Sequence, residues 1–355
     1  MEKDIKIVYK GVDELIPYCG SQVFLCDLPI RFDTYVGCTH GCQYCFATKK
    51  QDGFYNNIKK GESVDTLKKF IEGERTIETN WCDWNIPLHI GGMSDPLQPI
   101  ERKTGYTYEC LELLAKTQYP FVVSTKGRLL GDDKYIEILS RCNCVIQVSM
   151  ACDSYDEIEK GCPTFRERLE IVSKISPKVK RVIIRIQPYM REFKAEIINN
   201  LKLFKEAGAY GVIIEGMKFN KKKPGLVKVG TDFTYALDDI RNDILDIKKE
   251  CHRLGLRCFS GENRTRAFGD NLCCCGIENL EGFKENTFNL NHIINGKKPE
   301  YTENMTKKGT GRVFAALYQN TINGKRLKNE SFVGEMINTA KNKRDFIAEI
   351  FGKKK

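Results

Sequence analysis

The sequence predicts an α/β protein whose core is a partial (β/α)6 barrel of the TIM type, followed by a C-terminal extension that contains several cysteines and is then basic. From about residue 31, short β-branched runs alternate with helical patterns, which is typical of β/α units around a parallel sheet. Residues 182–184 and 212–214 are continuous β-branched runs, as expected for strands that are covered on both faces. Six consecutive units close most of a barrel.

The elements of this barrel follow one another in chain order. Six strands are predicted at residues 32–37, 88–92, 121–125, 145–150, 182–187 and 211–215. Apolar residues at helical spacing predict helices at residues 64–77, 106–117, 133–140, 164–174, 192–207 and 237–254. Residues 256–260 predict an added seventh strand. We therefore expect an N-terminal extension at residues 1–30, the barrel at 31–262 and the C-terminal extension at 263–355.

The composition is that of a soluble, globular protein. With 355 residues, the chain suffices for one large domain with an appendage or for two ordinary domains. Although there are 16 cysteines, residues 1–6 are charged and begin no apolar signal region, so we expect reduced thiols in a cytoplasmic protein. No apolar run approaches the roughly 18–20 residues of a membrane helix, and we expect no membrane association.

The basic charge is concentrated near the C-terminal end. Residues 297–355 contain 14 Lys and Arg against 6 Asp and Glu, within a net charge of +10 for the chain. Such a segment can bind nucleic acid or another polyanion. Its basic residues are scattered among polar ones with few aromatics, which favours a solvated surface instead, and both interpretations stay open.

A cysteine array follows the first predicted strand. Cys38, Cys42 and Cys45 have the spacing C-x-x-x-C-x-x-C. Three thiolates on an iron–sulfur cluster leave one iron open to an exchangeable ligand, which indicates chemistry rather than a structural role. Zinc with a distant fourth ligand and buried, inert thiols are the alternatives on spacing alone. A loop after a barrel strand lies at the catalytic rim, so this array would face the mouth of the barrel.

Other strand ends at this rim carry candidate ligand-binding residues. The carbonyls of Gly91 and Gly92 can receive an ammonium group, or the pair can simply form a tight turn. Lys126 can neutralise a carboxylate, and Ser149 can hydrogen-bond a carboxylate or a ribose hydroxyl. Arg185 lies in an apolar strand and therefore needs a partner, which is a ligand or a buried salt bridge.

These motifs resemble the radical S-adenosylmethionine superfamily, and within it the branch similar to spore photoproduct lyase, also described as DNA repair photolyase-like. The resemblance rests on the array with Tyr44 before its third cysteine, on the segment Ser-Asp-Pro-Leu-Gln-Pro-Ile-Glu at 94–101, on Thr125-Lys126 and on Glu167-Arg168-Leu169. It covers about residues 31–215. It implies a 4Fe-4S cluster and S-adenosyl-L-methionine (SAM) as cofactors.

The resemblance also implies roles for individual residues. Cys38, Cys42 and Cys45 would ligate the cluster, with its free iron chelating the amino and carboxylate groups of SAM. The residues that would lie near or contact the SAM molecule are Tyr44, Phe46, Ala47, Gly91, Gly92, Ser94, Lys126 and Ser149. Arg185 is added to this cofactor-binding set because of its place in an apolar strand, and not from the resemblance. One departure concerns Gly92, since true spore photoproduct lyases have there a cysteine that returns a hydrogen atom to the product radical. Repair of thymine photoproducts by that route is therefore not expected.

A second group of thiols lies near the end of the barrel. Cys251 and Cys258 precede the run Cys273-Cys274-Cys275. Because side chains alternate along a strand, three adjacent cysteines cannot all face one metal from regular structure. A loop can still present two of Cys273, Cys274 and Cys275, and with Cys258 or Cys251 these can form an auxiliary iron–sulfur cluster or a zinc site, the latter with His252. One thiol can instead donate a hydrogen atom, or all can be buried and inert.

The function expected from these observations is a radical SAM enzyme. An electron from a flavodoxin- or ferredoxin-like donor would let the cluster cleave SAM reductively to a 5′-deoxyadenosyl radical, which would abstract hydrogen from an unknown substrate. Nucleic-acid repair or modification is the first alternative, with nucleic acid as the partner. The second is a non-catalytic zinc or iron–sulfur binding module whose basic tail docks a partner.

Overall fold

A computed structural model describes residues 8–9, 27–28, 30–49, 51–72, 87–229, 232–285, 292, 321–322 and 325–326. The strands are β1 (Val8–Tyr9), β2 (Ile30–Phe32), β3 (Tyr35–Val36), β4 (Lys59–Lys60), β5 (Leu88–Ile90), β6 (Phe121–Thr125), β7 (Cys144–Ser149), β8 (Arg181–Tyr189), β9 (Gly211–Gly216), β10 (Leu226–Val229), β11 (Asp232–Tyr235), β12 (Arg257–Ser260), β13 (Thr321–Ile322) and β14 (Lys325–Arg326). The helices are α1 (Val64–Ile71), α2 (Glu101–Thr104), α3 (Tyr106–Thr117), α4 (Asp133–Ser140), α5 (Phe165–Ile175), α6 (Lys194–Glu206) and α7 (Leu237–Arg253).

The central sheet has eight strands in the order β1-β2-β5-β6-β7-β8-β9-β12. Apart from the antiparallel pair β1–β2, every neighbouring pair is parallel. The seven parallel strands therefore lie side by side in chain order, as the strands of a partial barrel do. The predicted α/β fold with a TIM-type partial barrel is confirmed, and the seventh strand expected at residues 256–260 is present as β12.

The first barrel strand is shorter than predicted. We expected a strand at residues 32–37, but pairing with β5 ends at Phe32. The backbone then leaves the sheet, because the carbonyls of Asp33 and Thr34 accept hydrogen bonds from Glu62 N and Gly61 N. Residues 35–36 instead pair with β4 in a separate two-stranded ribbon. The cysteine array thus follows β3, in the connection between the two strands of this ribbon, and not the barrel strand itself.

The helices lie close to their predicted positions. Helices α3 and α4 have the predicted bounds, and α5 begins after an N-cap at Thr164 that forms a capping box with Glu167. Helix α1 ends at Ile71, and the rest of the segment predicted to extend to residue 77 lies largely outside the described residues. None of the helices in the described ranges is long and apolar enough to cross a membrane.

Side chains on the two faces of the sheet form two apolar layers. The outer face carries Ile146, Ile184 and Ile214, which are fully buried in the same cluster as Leu201 and Phe204 of α6. The inner face begins with an apolar barrel floor, made by Val122, Val145, Ile183, Ile213 and Phe259. Because side chains alternate, the residues two positions further along these strands also face the interior, nearer the carboxyl ends of the strands.

The beginning of the C-terminal extension packs beneath the barrel. Cys273, Cys275 and Ile277 join the cluster of the barrel floor, and Gly276 allows a close approach, since a Cβ atom there would lie 2.6 Å from Ile183 Cδ1. The basic segment 297–355 lies outside the described residues except for β13 and β14, and so do most of residues 1–30. The predicted domain boundaries stay predictions.

Candidate functional site

A reversal of the backbone places the cysteine array against the chain that follows it. Gly37 has a φ of +90°, and a Cβ atom there would lie 2.9 Å from the carbonyl oxygen of Phe54. The same carbonyl accepts a hydrogen bond of 3.0 Å from Cys38 N. Only glycine fits this conformation and this contact easily. We call residues 37–45 the cysteine loop.

The three thiols of the cysteine loop all lie near Tyr55. Cys38 and Cys42 are buried and Cys45 is half-buried. Burial, followed by the nearby thiols of Cys45, Cys42 and Cys38, raises the pKa of the Tyr55 phenol. The Tyr55 hydroxyl donates a hydrogen bond of 2.5 Å to the carbonyl oxygen of Cys42. The structure therefore brings together the three residues predicted to bind metal.

The spacing of the three sulfurs is wider than a single metal ion needs. At least one pair of their Sγ atoms lies more than 4.8 Å apart. Thiolates that share one tetrahedral zinc ion are about 3.8 Å apart, given a Zn–S distance of about 2.3 Å. A cluster of several irons separates its thiolates further, since each binds a different iron. Three thiols are the donor set of such a cluster, and their spacing is not that of three thiolates closed around one zinc ion.

Neighbouring groups favour the thiolate form of Cys42. The largest influence on the pKa of Cys42 is a hydrogen bond from Cys162, which lowers it. The positive charges of Lys126 and His40 lower this pKa as well. Together they lower the pKa of Cys42 to about 7, against the opposing effect of burial. Burial raises the pKa of Cys38 to about 12. Iron binding requires the thiolate, so Cys42 is the better prepared of these two ligands.

The segment 94–101 holds the cysteine loop in place. Asp95 accepts hydrogen bonds of 2.6 Å from Thr125 Oγ1 and from Lys126 N, and its Oδ2 lies 3.1 Å from His40 Nε2. Gln98 accepts a bond from Thr39 N and donates one to the carbonyl of Gly37, each 3.0 Å long. Sequence reasoning used this segment as a family signature and missed these positioning roles, although polar residues at a buried strand end are a signal of them.

The side chains of Ser94 and Glu101, in the same segment, also form hydrogen bonds within the protein. Ser94 Oγ donates to the carbonyl of Tyr35 at 2.5 Å, and it is buried. Glu101 is 1% exposed and accepts bonds of 2.9 Å from Thr107 N and Tyr108 N. The structure thus places Ser94 at the rim as predicted, but with its hydroxyl turned to the backbone of β3.

The predicted Gly-Gly pair lies at the same edge of the sheet. Gly91 has a φ of +83°, and a Cβ atom there would lie 2.3 Å from the carbonyl oxygen of Ser124. This position therefore needs glycine for the turn itself. At Gly92 a Cβ atom would lie 2.5 Å from Cδ of the flexible Arg31 side chain and 3.8 Å from Nδ1 of His89. Both glycines are half-buried, so their backbone borders the mouth of the barrel.

Lys126 and Tyr44 meet at a buried carboxylate that sequence reasoning missed, and Ser149 is connected to it through Arg168. Glu159 is 2% exposed, its Oε1 lies 3.9 Å from Lys126 Nζ, and it accepts a hydrogen bond from the Tyr44 hydroxyl. Arg168 Nη1 lies 2.5 Å from Glu159 Oε2 and donates to the carbonyl of Ser149 at 2.8 Å. Burial opposes the charge of Lys126, but Glu159 and the nearby thiols outweigh it and raise the Lys126 pKa.

Arg185 faces the interior of the barrel, above the barrel floor. Its Nη1 donates to Ser124 Oγ at 2.9 Å and to Gln147 Oε1 at 3.4 Å. Ser124 Oγ also lies 2.7 Å from Nε2 of the buried His89. These partners are neutral, and no carboxylate within the described ranges forms an ion pair with Arg185. The expected buried salt bridge is therefore not found there.

Phe46 and Ala47 begin a short 3-10 helix after the third cysteine. Phe46 is 51% exposed, whereas Ala47 is fully buried beside Cys38 and Phe54. Ala47 therefore supports the cysteine loop from below, and Phe46 forms part of the surface next to Cys45. Both predicted residues lie beside the array.

The structure does not bring the four thiols of the possible second site together. Cys258 packs with Cys251 on the helix side of the sheet, because it alternates with the inward-facing Phe259 on β12. Cys273 and Cys275 lie beneath the barrel floor, and Cys274 Sγ is 3.8 Å from Cys275 Sγ. His252 pairs with Asp270 at 2.8 Å and is not joined to these thiols. The auxiliary metal site stays a prediction without an assembled ligand set.

Known proteins share this fold and this sequence pattern. An uncharacterized protein of Mycobacterium tuberculosis and one of Mycobacterium bovis are each 26% identical over 204 residues, which cover 54% of this chain. The match spans 59% of the length of each relative. Spore photoproduct lyase complexed with dinucleoside spore photoproduct superposes with a TM-score of 0.53 at 15% identity, covering 72% of this chain and 78% of the lyase. A lyase mutant with bound AdoMet and dinucleoside spore photoproduct gives a TM-score of 0.53 at 14% identity. This superposition covers 73% of this chain and 79% of the lyase mutant. At these identities the likeness concerns the fold.

The family match is decisive. A family model described as the Radical SAM superfamily matches residues 33–218, which include the cysteine loop and five of the seven parallel strands, β5 to β9. The chain belongs to the radical SAM superfamily, and its cofactors are accordingly a 4Fe-4S cluster and S-adenosyl-L-methionine.

Proposed function

We propose that this protein is an enzyme that cleaves SAM reductively to a 5′-deoxyadenosyl radical, which abstracts hydrogen from a substrate bound at the barrel mouth. The observation that carries the proposal is that Cys38, Cys42 and Cys45 come close to one residue, Tyr55, in a loop beyond the carboxyl edge of the parallel strands and within the part of the chain that the superfamily model matches. When bound, the cluster supplies the electron for this cleavage, and its iron without a thiolate holds SAM.

The residues around the cysteine loop would bind and orient SAM. Gly91 and Gly92 offer backbone carbonyls to its ammonium group, and Lys126 offers a positive charge to its carboxylate. Lys126 Nζ lies 5.7 Å from the centre of the Tyr44 ring, so Tyr44 and Glu159 fix its direction. Ser149 and Arg185, on the neighbouring strands β7 and β8, would contact the ribose or the substrate.

An electron donor of the flavodoxin or ferredoxin type is part of the proposal. Phe46 is 51% exposed directly after Cys45, which gives such a donor an apolar contact close to the cluster. Apolar and aromatic residues at a protein surface commonly mark contacts with partners. A shift in the reduction rate when Phe46 is replaced by Ser would support this route.

Anaerobic reconstitution with iron and sulfide tests the proposed reaction. The dithionite-reduced protein should convert SAM to 5′-deoxyadenosine, whereas a variant with Ala at Cys38, Cys42 and Cys45 should lose this activity. Cys142→Ser is the matched control, because its thiol lies before β7 at the opposite end of the strands and hydrogen-bonds only backbone carbonyls. A colourless zinc protein without SAM cleavage would instead support the binding-module alternative.

The substrate can be found by isotope transfer. A deuterium label on the attacked carbon of a candidate substrate should appear in 5′-deoxyadenosine. Gly92 occupies the position where spore photoproduct lyases carry a hydrogen-donating cysteine, so we do not expect photoproduct repair by that route. The lyase versus oxidoreductase class depends on this measurement.

Nucleic-acid modification is the second candidate, and a basic hairpin at the barrel mouth favours it. Strands β10 and β11 form this hairpin after β9, and Lys221, Lys222, Lys223 and Lys228 are exposed on or beside it. Asp232 of the hairpin pairs with Lys49 at 3.7 Å, which places the hairpin next to the segment after the cysteine loop. Spore photoproduct lyase, which shares the fold, is known with a bound dinucleoside photoproduct.

Salt-dependent binding of an oligonucleotide tests this candidate. Lys221, Lys222 and Lys223 changed together to Gln should weaken binding and lower the slope of log affinity against log salt by about 2 to 3. Lys202→Gln, on the outer helix α6, is the control and should leave the slope nearly unchanged. Affinity that does not depend on salt, or an unaltered slope in the triple variant, would contradict a role of the hairpin.

A further inference from the structure

A cysteine far away in the sequence lies beside the middle ligand of the cysteine loop. Cys42 Sγ and Cys162 Sγ are 3.7 Å apart, although 120 residues separate them. Cys162 belongs to the connection between β7 and α5. We propose that Cys42 and Cys162 form a reversible disulfide in the cluster-free protein, and that this bond blocks assembly of the cluster.

Several contacts hold the two segments together, so the proximity of the thiols is part of the fold. Gln43 N donates to the carbonyl of Ile158 at 3.0 Å, and His40 Nδ1 lies 3.1 Å from the carbonyl oxygen of Gly161. Gly161 permits this approach, because a Cβ atom there would lie 2.3 Å from the carbonyl oxygen of His40. The hydrogen bond from Tyr44 to Glu159 adds a third connection.

The two sulfurs are in non-bonded contact, 3.7 Å apart. The S–S bond is about 2.0 Å long, so the two sulfurs must approach by about 1.7 Å from their present separation. Rotation of the two side chains with a small shift of the connection can supply this movement. Cys42 is buried, whereas Cys162 is half-buried and borders a cleft of about 250 Å3 whose wall includes His40 and Pro163. A small-molecule disulfide would therefore reach Cys162 first.

The reaction is a thiol–disulfide exchange in two steps. Cys162 passes its proton to the adjacent Cys42 thiolate, attacks one sulfur of a small disulfide, forms a mixed disulfide and releases one small thiolate, which takes the proton back from Cys42. The Cys42 thiolate then attacks the Cys162 sulfur and releases the second small thiol. Two protein thiols are oxidised and lose their protons, while one small disulfide is reduced to two thiols. A dithiol reductant reverses both steps.

The consequence for the cluster rests on the proposed role of Cys42 as a ligand. A sulfur in a disulfide cannot bind iron, since the ligand is the thiolate. Conversely, Cys42 bound to iron is protected from exchange. Cluster and disulfide would therefore exclude each other, and the oxidised protein would regain the ability to take up iron only after reduction.

Peptide mapping of the full-length, cluster-free protein tests the bond. After anaerobic treatment with oxidised glutathione and alkylation, trypsin should release residues 32–49 joined to residues 161–166, and tandem mass spectrometry should assign the bond to Cys42. Dithiothreitol should abolish this species. A bond from Cys42 to Cys38 or Cys45, or a glutathione adduct that persists on Cys162, would overturn the proposal.

Iron uptake tests the consequence. When iron and sulfide are supplied without a thiol reductant, oxidation should lower iron per chain about ten-fold in the wild type and in Cys142→Ser. Cys162→Ser should take up iron equally before and after oxidation, and an equal loss in this variant would contradict the proposal. Reduced wild-type protein that takes up iron but does not cleave SAM would contradict the proposed function and leave the disulfide unaffected.

Discussion

The carboxylate of Asp95 lies 3.1 Å from Nε2 of His40, and both side chains are buried. Asp95 also accepts hydrogen bonds from the end of β6, so one carboxylate joins β5, β6 and the cysteine loop. Burial opposes the charged form of His40, but Asp95 outweighs it and raises the His40 pKa. The position of the three thiols therefore depends on a buried charge pair outside the cysteine motif.

Replacing Asp95 by Asn should weaken the cysteine loop. The amide loses the charge that pairs with His40, and we expect the free energy of unfolding to fall by about 2–4 kcal/mol. Urea unfolding of the cluster-free protein measures this change, and iron per chain should fall with it. Asp52→Asn, an exposed position, is the control. Equal stability of the two variants would show that the Asp95–His40 contact contributes little.

Glu159 and Arg168 should behave as an energetically coupled pair. Both are nearly fully buried and their charges lie 2.5 Å apart. Removal of one leaves the other with a more distant charged partner, which is Lys126 at 3.9 Å for Glu159 and Asp156 at 3.5 Å for Arg168. Glu159→Gln and Arg168→Met should each lower the free energy of unfolding by about 3–5 kcal/mol. The double variant should cost clearly less than the sum of the two. Additive losses in this double-mutant cycle would argue against the pair.

The stability of the protein should fall with rising pH because of Glu62. Burial and then the charge of Asp33 raise the pKa of Glu62 to about 7, from an ordinary value of 4.5. Between these values the unfolded chain is ionised first, so folding becomes less favourable as pH rises from about 4.5 to about 7. In the Glu62→Gln variant, the decrease in the free energy of unfolding over this pH range should be smaller by about 1–3 kcal/mol.

Unfolding free energies at pH 5 and pH 8 measure the effect of Glu62. The variant should gain stability relative to wild type at pH 8, with a smaller difference at pH 5. Glu112→Gln, an exposed residue of α3, is the control and should follow the wild-type curve. A parallel decline in Glu62→Gln and wild type would refute this origin of the pH dependence.

Alanine at Gly91 should be far more damaging than alanine at Gly105. Both glycines have a positive φ, +83° and +65°, but a Cβ atom at Gly105 meets nothing within 4 Å. Gly105→Ala should therefore lower the free energy of unfolding by about 1–2 kcal/mol, because only the left-handed backbone conformation opposes the alanine. Gly91→Ala adds a clash with the carbonyl oxygen of Ser124, and we expect a further loss of about 2 kcal/mol or more. Thermal unfolding of the two variants gives the comparison, and similar losses would contradict it.

The sequence predicts the repeating units well because their signals are local. Helix α3 and strand β6 have the predicted bounds, since apolar periodicity and turn residues mark both ends. The first strand was predicted too long, because the hydrogen bonds from residues 61–62 that draw Asp33 and Thr34 out of the sheet come from a distant segment. Sequence patterns do not contain that information.

The same limit applies to the site. The cysteine spacing is a local signal and identified the array, whereas Glu159 and Cys162 reach it only through the folding of the connection after β7. Cys258 and Cys273 are close in the sequence, but the alternation of side chains on β12 places Cys258 on the opposite face of the sheet. Proximity along the chain was therefore a poor guide to a second metal site.

Electron paramagnetic resonance of the reduced, reconstituted protein tests the central claim most directly. Three thiolates should hold a 4Fe-4S cluster with one iron open to SAM, so the reduced protein should give an iron–sulfur signal that changes when SAM is added. The variant with Ala at Cys38, Cys42 and Cys45 should give no such signal. A wild-type signal that SAM leaves unchanged, or a protein without an iron–sulfur signal, would contradict the account.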